Sequence, residues 1–286
     1  MFFGALLIVF QLVFEALPVS SSGHLFLAEL FFRSRKIFLD TSSFPEFFDH
    51  LLQAPFLIVV MVLFFREWSN PFRCLFSSLG FGGRKDERKA KKLWAILLKI
   101  MSFIFISDLM TGIFYFIFHL GIKPFMGKEV EPFFLLVGFI LTMSALFSLK
   151  FFQSLSGSEK LDFRKATILG IVQGLAVFPG ISRFAFTYVA GRWLKLSSRR
   201  AFQISFLIGF PVNIVGPLKG LWHLSKYPGW QSIFTWKLSL AIIAAAVLSF
   251  FLLRFARNLA LRTKLWWFGF YMILPISFLI IFVLIK

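Results

Sequence analysis

Glu15-Ala16-Leu17-Pro18-Val19-Ser20-Ser21-Ser22-Gly23-His24 interrupts an apolar run that covers about residues 2–17 and resumes over 24–32. Proline stops a helix because it lacks an N–H and its ring collides with the preceding turn, and the serines after it can cap a new helix. The free N–H groups at the start of that second half-helix favour an anion. Glu15 stands about one turn before the break and His24 lies in the first turn beyond it, so a carboxylate, three hydroxyls and an imidazole converge. Serine and histidine here either serve a ligand or only satisfy backbone groups freed by the proline. An ionised glutamate is harder to account for in the second way, because at the bilayer centre a charge costs about 2.5–3.5 kcal/mol.

The rest of the chain places this break in a membrane. Of its 286 residues 58% are hydrophobic, and the mean hydropathy is +0.83, more apolar than a water-facing domain tolerates. Further apolar segments fall at about 47–65, 93–120, 132–149, 166–180, 183–195, 201–222, 237–253 and 265–285, six of them suited to crossing the hydrocarbon. The fold expected is an all-α polytopic integral membrane protein, a single membrane domain over 1–286 with about six transmembrane helices. The Phe-rich helices are expected to face lipid, and the 44 phenylalanines need no functional explanation. Cys74 is the lone cysteine, which excludes a disulfide framework or a thiolate metal site. The N-terminus has neither a charged n-region nor a small-residue cleavage site, so it is expected to be retained. The net charge of +18 sits in short loops beside apolar spans, where topology and anionic lipid account for it without nucleic acid as a partner.

Those charges orient the chain. Arg66, Arg73, Arg84, Lys85, Arg88, Lys89, Lys91 and Lys92 fill 66–92; Lys150, Lys160, Arg164 and Lys165 fill 150–165; Arg254, Arg257, Arg262 and Lys264 fill 254–264. These loops belong inside, and the nearly neutral 121–131 and 223–236 outside. Arg199 and Arg200 then make 166–195 a re-entrant hairpin entering from the inside. The same alternation makes 2–35 a hairpin entering from the outside, leaving Arg33, Arg35 and Lys36 on the side the rule disfavours.

An internal repeat agrees. Glu15-Ala-Leu-Pro18-Val-Ser20 resembles Ala176-Val-Phe-Pro179-Gly-Ile-Ser182 with one residue added, and Asp49-His-Leu-Leu-Gln-Ala-Pro55 lines up with Ser205-Phe-Leu-Ile-Gly-Phe-Pro211. Halves of roughly 1–120 and 132–286 in opposite orientation form an inverted repeat, and broken segments at matching positions point to a site at the midplane. In the second break Ser182 can cap a half-helix and Arg183 adds a planar fork of donors suited to phosphate. Against the phosphate cradle stand two plainer roles for Arg183, reaching to an interface or neutralising Glu15. Asp49 and Gln53 share a helix face, lining the same cavity or marking its outer interface. His50 is expected to point elsewhere, Asp108 to lack a partner, His119 and His223 to be interfacial, and Glu67, Asp86 and Glu87 to be solvated in the charged loop.

Glu15 to His24, Phe48-Asp49 with Gln53, Pro179-Gly-Ile-Ser-Arg183 and Phe202-Gln-Ile-Ser205-Phe-Leu together resemble the bacterial undecaprenyl-diphosphatase (UppP/BacA) family over nearly the whole chain. The resemblance implies a multi-pass hydrolase of the bacterial inner membrane that converts undecaprenyl diphosphate to the monophosphate. That recycles the lipid carrier of peptidoglycan synthesis and confers bacitracin resistance. It implies interlocked inverted repeats with two re-entrant hairpins, a cavity open to the outer face, a divalent cation (Mg²⁺ or Ca²⁺) and a homodimer. Glu15 matches the second acid of the family's Glu-x-x-x-Glu element and would hold the metal. Ser21 matches the central serine proposed as nucleophile, His24 the family histidine, and Arg183 the phosphate-binding arginine beside Ser182. The sequence departs at Gln11, where the family has its first acid, and at Phe184-Ala185, where it has Ser-Gly.

The expected chemistry is cleavage of a terminal phosphoanhydride. Arg183 with Ser20, Ser22, Ser182 and the two helix N-termini binds phosphate. Ser21 attacks with His24 or Glu15 as base, or His24 attacks directly. Gln11 and Ser205 are candidates to line the cavity, as are Asp49 and Gln53 if their shared face turns toward it. A transporter or flippase of phosphorylated polyprenyl lipid is the other reading, since broken helices and inverted repeats are transporter devices. A scaffold leaves the buried polar groups unexplained.

Overall fold

The computed structural model describes residues 2–34, 50–51, 53–78, 87–125, 131–151, 160–226 and 235–285. Asp49, Arg35, Lys36, Arg84, Lys85 and Asp86 lie outside the described residues. Every regular element described is helical, which satisfies the backbone groups within each segment where lipid offers no partner.

The apolar arms on either side of the first break are α1 (Phe2–Glu15) and α2 (Ser21–Ser34). The chain continues through α3 (Gln53–Leu63), α4 (Phe65–Ser78), α5 (Glu87–Ile117) and α6 (Glu131–Ser148). The second broken pair is α7 (Phe163–Leu175) and α8 (Arg183–Trp193). Then come α9 (Ser198–Ser225), α10 (Trp236–Leu261), α11 (Phe268–Tyr271) and α12 (Ile273–Ile285). Four stretches are long and apolar enough to cross a membrane, Lys91–Ile122, Ser198–Ser225, Trp236–Leu261 and Leu265–Leu284; Gln53–Leu63 and Pro132–Ser148 are apolar but shorter. The outer faces of these helices carry exposed Phe105, Phe116, Phe133 and Phe251, as lipid-facing spans should.

Contrary to the loop expected over 66–92, the described residues of that stretch are helical: 66–78 belong to α4 and 87–92 to the start of α5. Phe65, Arg66, Arg73 and Phe76 are exposed on α4, while Trp68 stacks on the buried Phe64 with ring centroids 5.2 Å apart. Basic and aromatic residues at helical spacing suit a helix lying at an interface. Glu67 is not simply solvated either, since it accepts from Arg257 Nη2 at 2.7 Å, an ion pair between α4 and α10. Arg254 and Arg257 likewise sit on the last turns of α10 and not in a loop.

Each broken pair packs its first arm against a helix from the other half of the chain, α1 along α10 and α7 along α5. A buried hydroxyl crosses each contact: Ser249 donates to the Leu12 carbonyl at 2.6 Å, and Thr111 to the Gly170 carbonyl at 3.2 Å. The α5–α7 approach is so close that a Cβ at Gly170 would overlap the Ser107 backbone. Helix α6 touches both breaks. A Cβ on Gly138 would strike the Pro179 carbonyl, and one on Gly23 would stand 2.6 Å from the Phe139 ring. In the core, Phe184, Phe202, Phe206 and Phe64 interlock with centroids 4.9–5.8 Å apart.

Candidate active site

The two breaks have the same local construction. Ser20 precedes α2 with φ 21°, and its Oγ accepts from the Gly23 N–H at 3.3 Å. Ser182 precedes α8 and its Oγ accepts from the Ala185 N–H, also at 3.3 Å, after a turn through Gly180 at φ 83°. A residue with a Cβ would be strained at Gly180, and a Cβ there would also meet the Leu135 carbonyl oxygen at 2.5 Å. The equivalence read from the sequence, Ser20 with Ser182, therefore holds as two helix caps. The first helical residues are then Ser21 and Arg183.

Both of those residues reach the carboxylate of Glu15. Ser21 Oγ donates to Glu15 Oε2 at 2.5 Å, and Arg183 Nη2 donates to Glu15 Oε1 at 2.9 Å. The Arg183 and Glu15 side chains are 26% and 17% exposed, so the pair is screened from bulk solvent while keeping access to a cavity. That cavity, of about 460 Å³, is lined by Glu15, Ser20, Ser21, Ser22, Ser182 and Arg183, and also by Gln11, Gln53 and Ser205. Apolar walls from Phe14, Leu17, Phe56, Phe206 and Val212 complete it. The expected convergence of serines, glutamate and arginine is thus present, and the Arg183–Glu15 pair left open by the sequence is part of the cavity wall.

His24 is placed differently from the sequence expectation. It is buried and does not line the cavity. Its Nδ1 lies 2.8 Å from the Ser20 carbonyl oxygen, which can only accept, so this nitrogen carries the proton. Nε2 then accepts from the Tyr271 hydroxyl at 3.1 Å, and the ring stacks on Phe14 with centroids 4.1 Å apart. The imidazole braces the turn from behind, because its position on α2 faces α6 and α11 and not the break.

His50 does line the cavity, contrary to expectation, since it lies three residues before Gln53 and shares its face. Asp49 falls outside the described residues. Asp108 has a partner: Gln173 Nε2 lies 3.5 Å from its Oδ1, and also 3.1 Å from Thr111 Oγ1 and 3.3 Å from the Ile208 carbonyl. His119 and His223 are exposed, as expected near span ends. The sequence reading missed Thr111, Gln173 and Asn213 on the cavity wall. Gln173 carried a signal, being a polar residue in an apolar arm shortly before its break, as Gln11 is in the first arm. Of the two departures after Arg183, Ala185 still supplies its backbone N–H to the Ser182 cap, and Phe184 fills space against Phe206, with centroids 4.9 Å apart.

Could these residues hold a divalent cation? Among the described residues no three His, Cys, Asp or Glu side chains cluster. An open site fits better. Gln11 is buried on the cavity wall with Oε1 lacking any hydrogen-bond partner, one turn from the Glu15 carboxylate on the same helix. A carboxylate and an unused amide oxygen suit a hard cation whose other ligands are phosphate oxygens and water.

A family model described as bacitracin resistance protein BacA matches residues 5–276. The undecaprenyl-diphosphatase of Treponema denticola is 29% identical over 259 residues, 91% of this chain and 88% of that protein. Undecaprenyl-diphosphatase 1 of Bacillus licheniformis is 29% identical over 257 residues, 90% of this chain and 88% of the relative. The undecaprenyl-diphosphatase of Leptospira biflexa is 28% identical over 225 residues, 74% of this chain and 72% of the relative.

Proposed function

Because this chain belongs to the bacitracin resistance protein BacA family, we propose that it is a membrane phosphatase that hydrolyses undecaprenyl diphosphate to undecaprenyl phosphate and inorganic phosphate. The names of its relatives support the substrate. One observation carries the chemistry: the first residues of two half-helices, Ser21 and Arg183, meet on the single carboxylate of Glu15 at the cavity wall.

In this reading the terminal phosphate lies between the two helix N-termini, and Arg183 gives its remaining donors to the phosphoryl oxygens. Ser21 Oγ attacks phosphorus as its proton passes to Glu15 Oε2. The bond to the bridging oxygen breaks, and undecaprenyl phosphate leaves with the electron pair. Water then attacks the phosphoserine, Glu15 returns the proton to Ser21 Oγ, and the proton from water departs with the phosphate. His24 holds Ser20, and so the turn, in place. Its position favours Ser21 as nucleophile, because neither ring nitrogen is free to attack. Gln11 Oε1 and Glu15 would hold Mg²⁺ or Ca²⁺, which when bound neutralises charge on the diphosphate. The first isoprene units lie along Phe56, Phe206 and Val212.

The membrane arrangement proposed is six spans and two re-entrant hairpins in interlocked inverted repeats. The exchange of α1 and α7 between halves supports it, as does the Glu67–Arg257 pair, which joins two basic regions assigned to the inner side. The site then opens to the outer face of the bacterial inner membrane. Removing the diphosphate there also removes the form that bacitracin binds.

The test is phosphate release from undecaprenyl diphosphate by purified protein in detergent, titrated with Mg²⁺ or Ca²⁺ and quenched with EDTA, beside Gln11→Glu. A second full charge on the cation tightens its binding, so Gln11→Glu should lower the half-activating cation concentration by about tenfold. Direct cation titration by calorimetry should move in parallel. An unchanged cation dependence would remove Gln11 from the ligand set.

A further inference from the structure

The side chain that fixes the second break belongs to neither hairpin. Thr142 of α6 is fully buried and uses its hydroxyl twice. It donates to the Gly180 carbonyl at 3.0 Å and accepts from the Ser182 N–H at 3.1 Å. These groups flank Ile181 in the turn that contains the left-handed Gly180, immediately before Arg183. Ser182 in turn caps α8 through the Ala185 N–H. One turn back along α6, Gly138 leaves the space the Pro179 carbonyl occupies. The neighbouring face of α6 meets the first break, with Phe139 beside His24 at 5.5 Å between ring centroids and against Gly23. Helix α6 therefore contacts both the turn before Ser21 and the turn before Arg183.

On the basis of the function proposed above, we propose that Thr142 is a positioning residue for phosphate transfer, acting through the Gly180–Ser182 turn on Arg183. It does not line the cavity, so it does not touch the substrate. Valine keeps its shape and removes the hydroxyl. That leaves one buried N–H and one carbonyl without their partner, and the turn can recover them only by moving. Arg183 follows the turn and leaves its register on Glu15. Serine retains both hydrogen bonds.

The experiment compares Thr142→Val, Thr142→Ala and Thr142→Ser, each in the native and the Arg183→Ala background. The readouts are kcat/KM for undecaprenyl diphosphate and calorimetric affinity for inorganic diphosphate, with thermal melting confirming that each protein is folded. A displacement on the ångström scale should lower kcat/KM by about 10- to 100-fold in Thr142→Val and weaken inorganic diphosphate in step. Thr142→Ser should stay close to the native protein. In the Arg183→Ala background Thr142→Val should cost nothing more, because residues acting as one unit do not add. Equal losses in both backgrounds, or a serine variant as impaired as the valine one, would overturn the inference. So would a folded valine variant with native kinetics. Should valine not fold, the alanine variant carries the same expectations. A native protein that hydrolyses nothing would defeat the proposed function, and the diphosphate affinities would still decide the role of Thr142.

Discussion

Arg183→Ala is expected to lower kcat/KM for undecaprenyl diphosphate by about 10³-fold or more without unfolding the protein. The side chain supplies charge where the first residues of two half-helices meet on Glu15, and it also offsets that carboxylate, which is only 17% exposed. In the proposed mechanism, removing it takes away the strongest phosphate contact and leaves a carboxylate facing an anionic substrate. Arg183→Lys should recover only part of the loss. A lysine can neutralise Glu15 but cannot hold carboxylate and phosphate on one planar fork. The measurement is initial-rate kinetics on detergent-purified variants with matched melting profiles. Native rates in Arg183→Ala would remove the phosphate cradle from the account.

Ser21→Ala should lose roughly 10⁴-fold or more in kcat, with little change in KM, since the nucleophile contributes to the transition state and hardly to ground-state binding. His24→Asn makes the informative contrast. The imidazole is buried behind the break and holds the Ser20 carbonyl, so its replacement should reduce stability and loosen the turn. Its kinetic cost should be smaller than that of Ser21→Ala and should shrink in the residual fraction that keeps its fold. Were His24 the nucleophile, the order would reverse: His24→Asn would be inert while folded, and Ser21→Ala would keep most of its turnover.

The first break was legible because its meaning is local. Proline ends one helix, serine caps the next, and a glutamate one turn away has no business in lipid without a partner. The pairing of Ser20 with Ser182 could likewise be read from spacing, and the structure shows both as caps of half-helices. What sequence could not supply were contacts between distant elements. His24 looked like a site residue because it is close in sequence, yet helical rotation turns it toward Tyr271, 247 positions away. Gln173 and Thr111 reach the cavity only because α7 packs on α5. The charged stretch at 66–92 resembles a loop by its charge, yet α4 carries its exposed Phe and Arg at helical spacing. Thr142 gave no signal at all, being one hydroxyl in an apolar helix whose partners come from another hairpin.

The most direct measurement is a rapid quench of the native protein with undecaprenyl diphosphate labelled in its terminal phosphate, following labelled inorganic phosphate and labelled protein together. Labelled phosphate should be released with a transient acid-stable label on Ser21, and both signals should be lost in Ser21→Ala. Bound lipid that is never cleaved by a folded protein, or cleavage with the label on His24, would contradict the proposed mechanism.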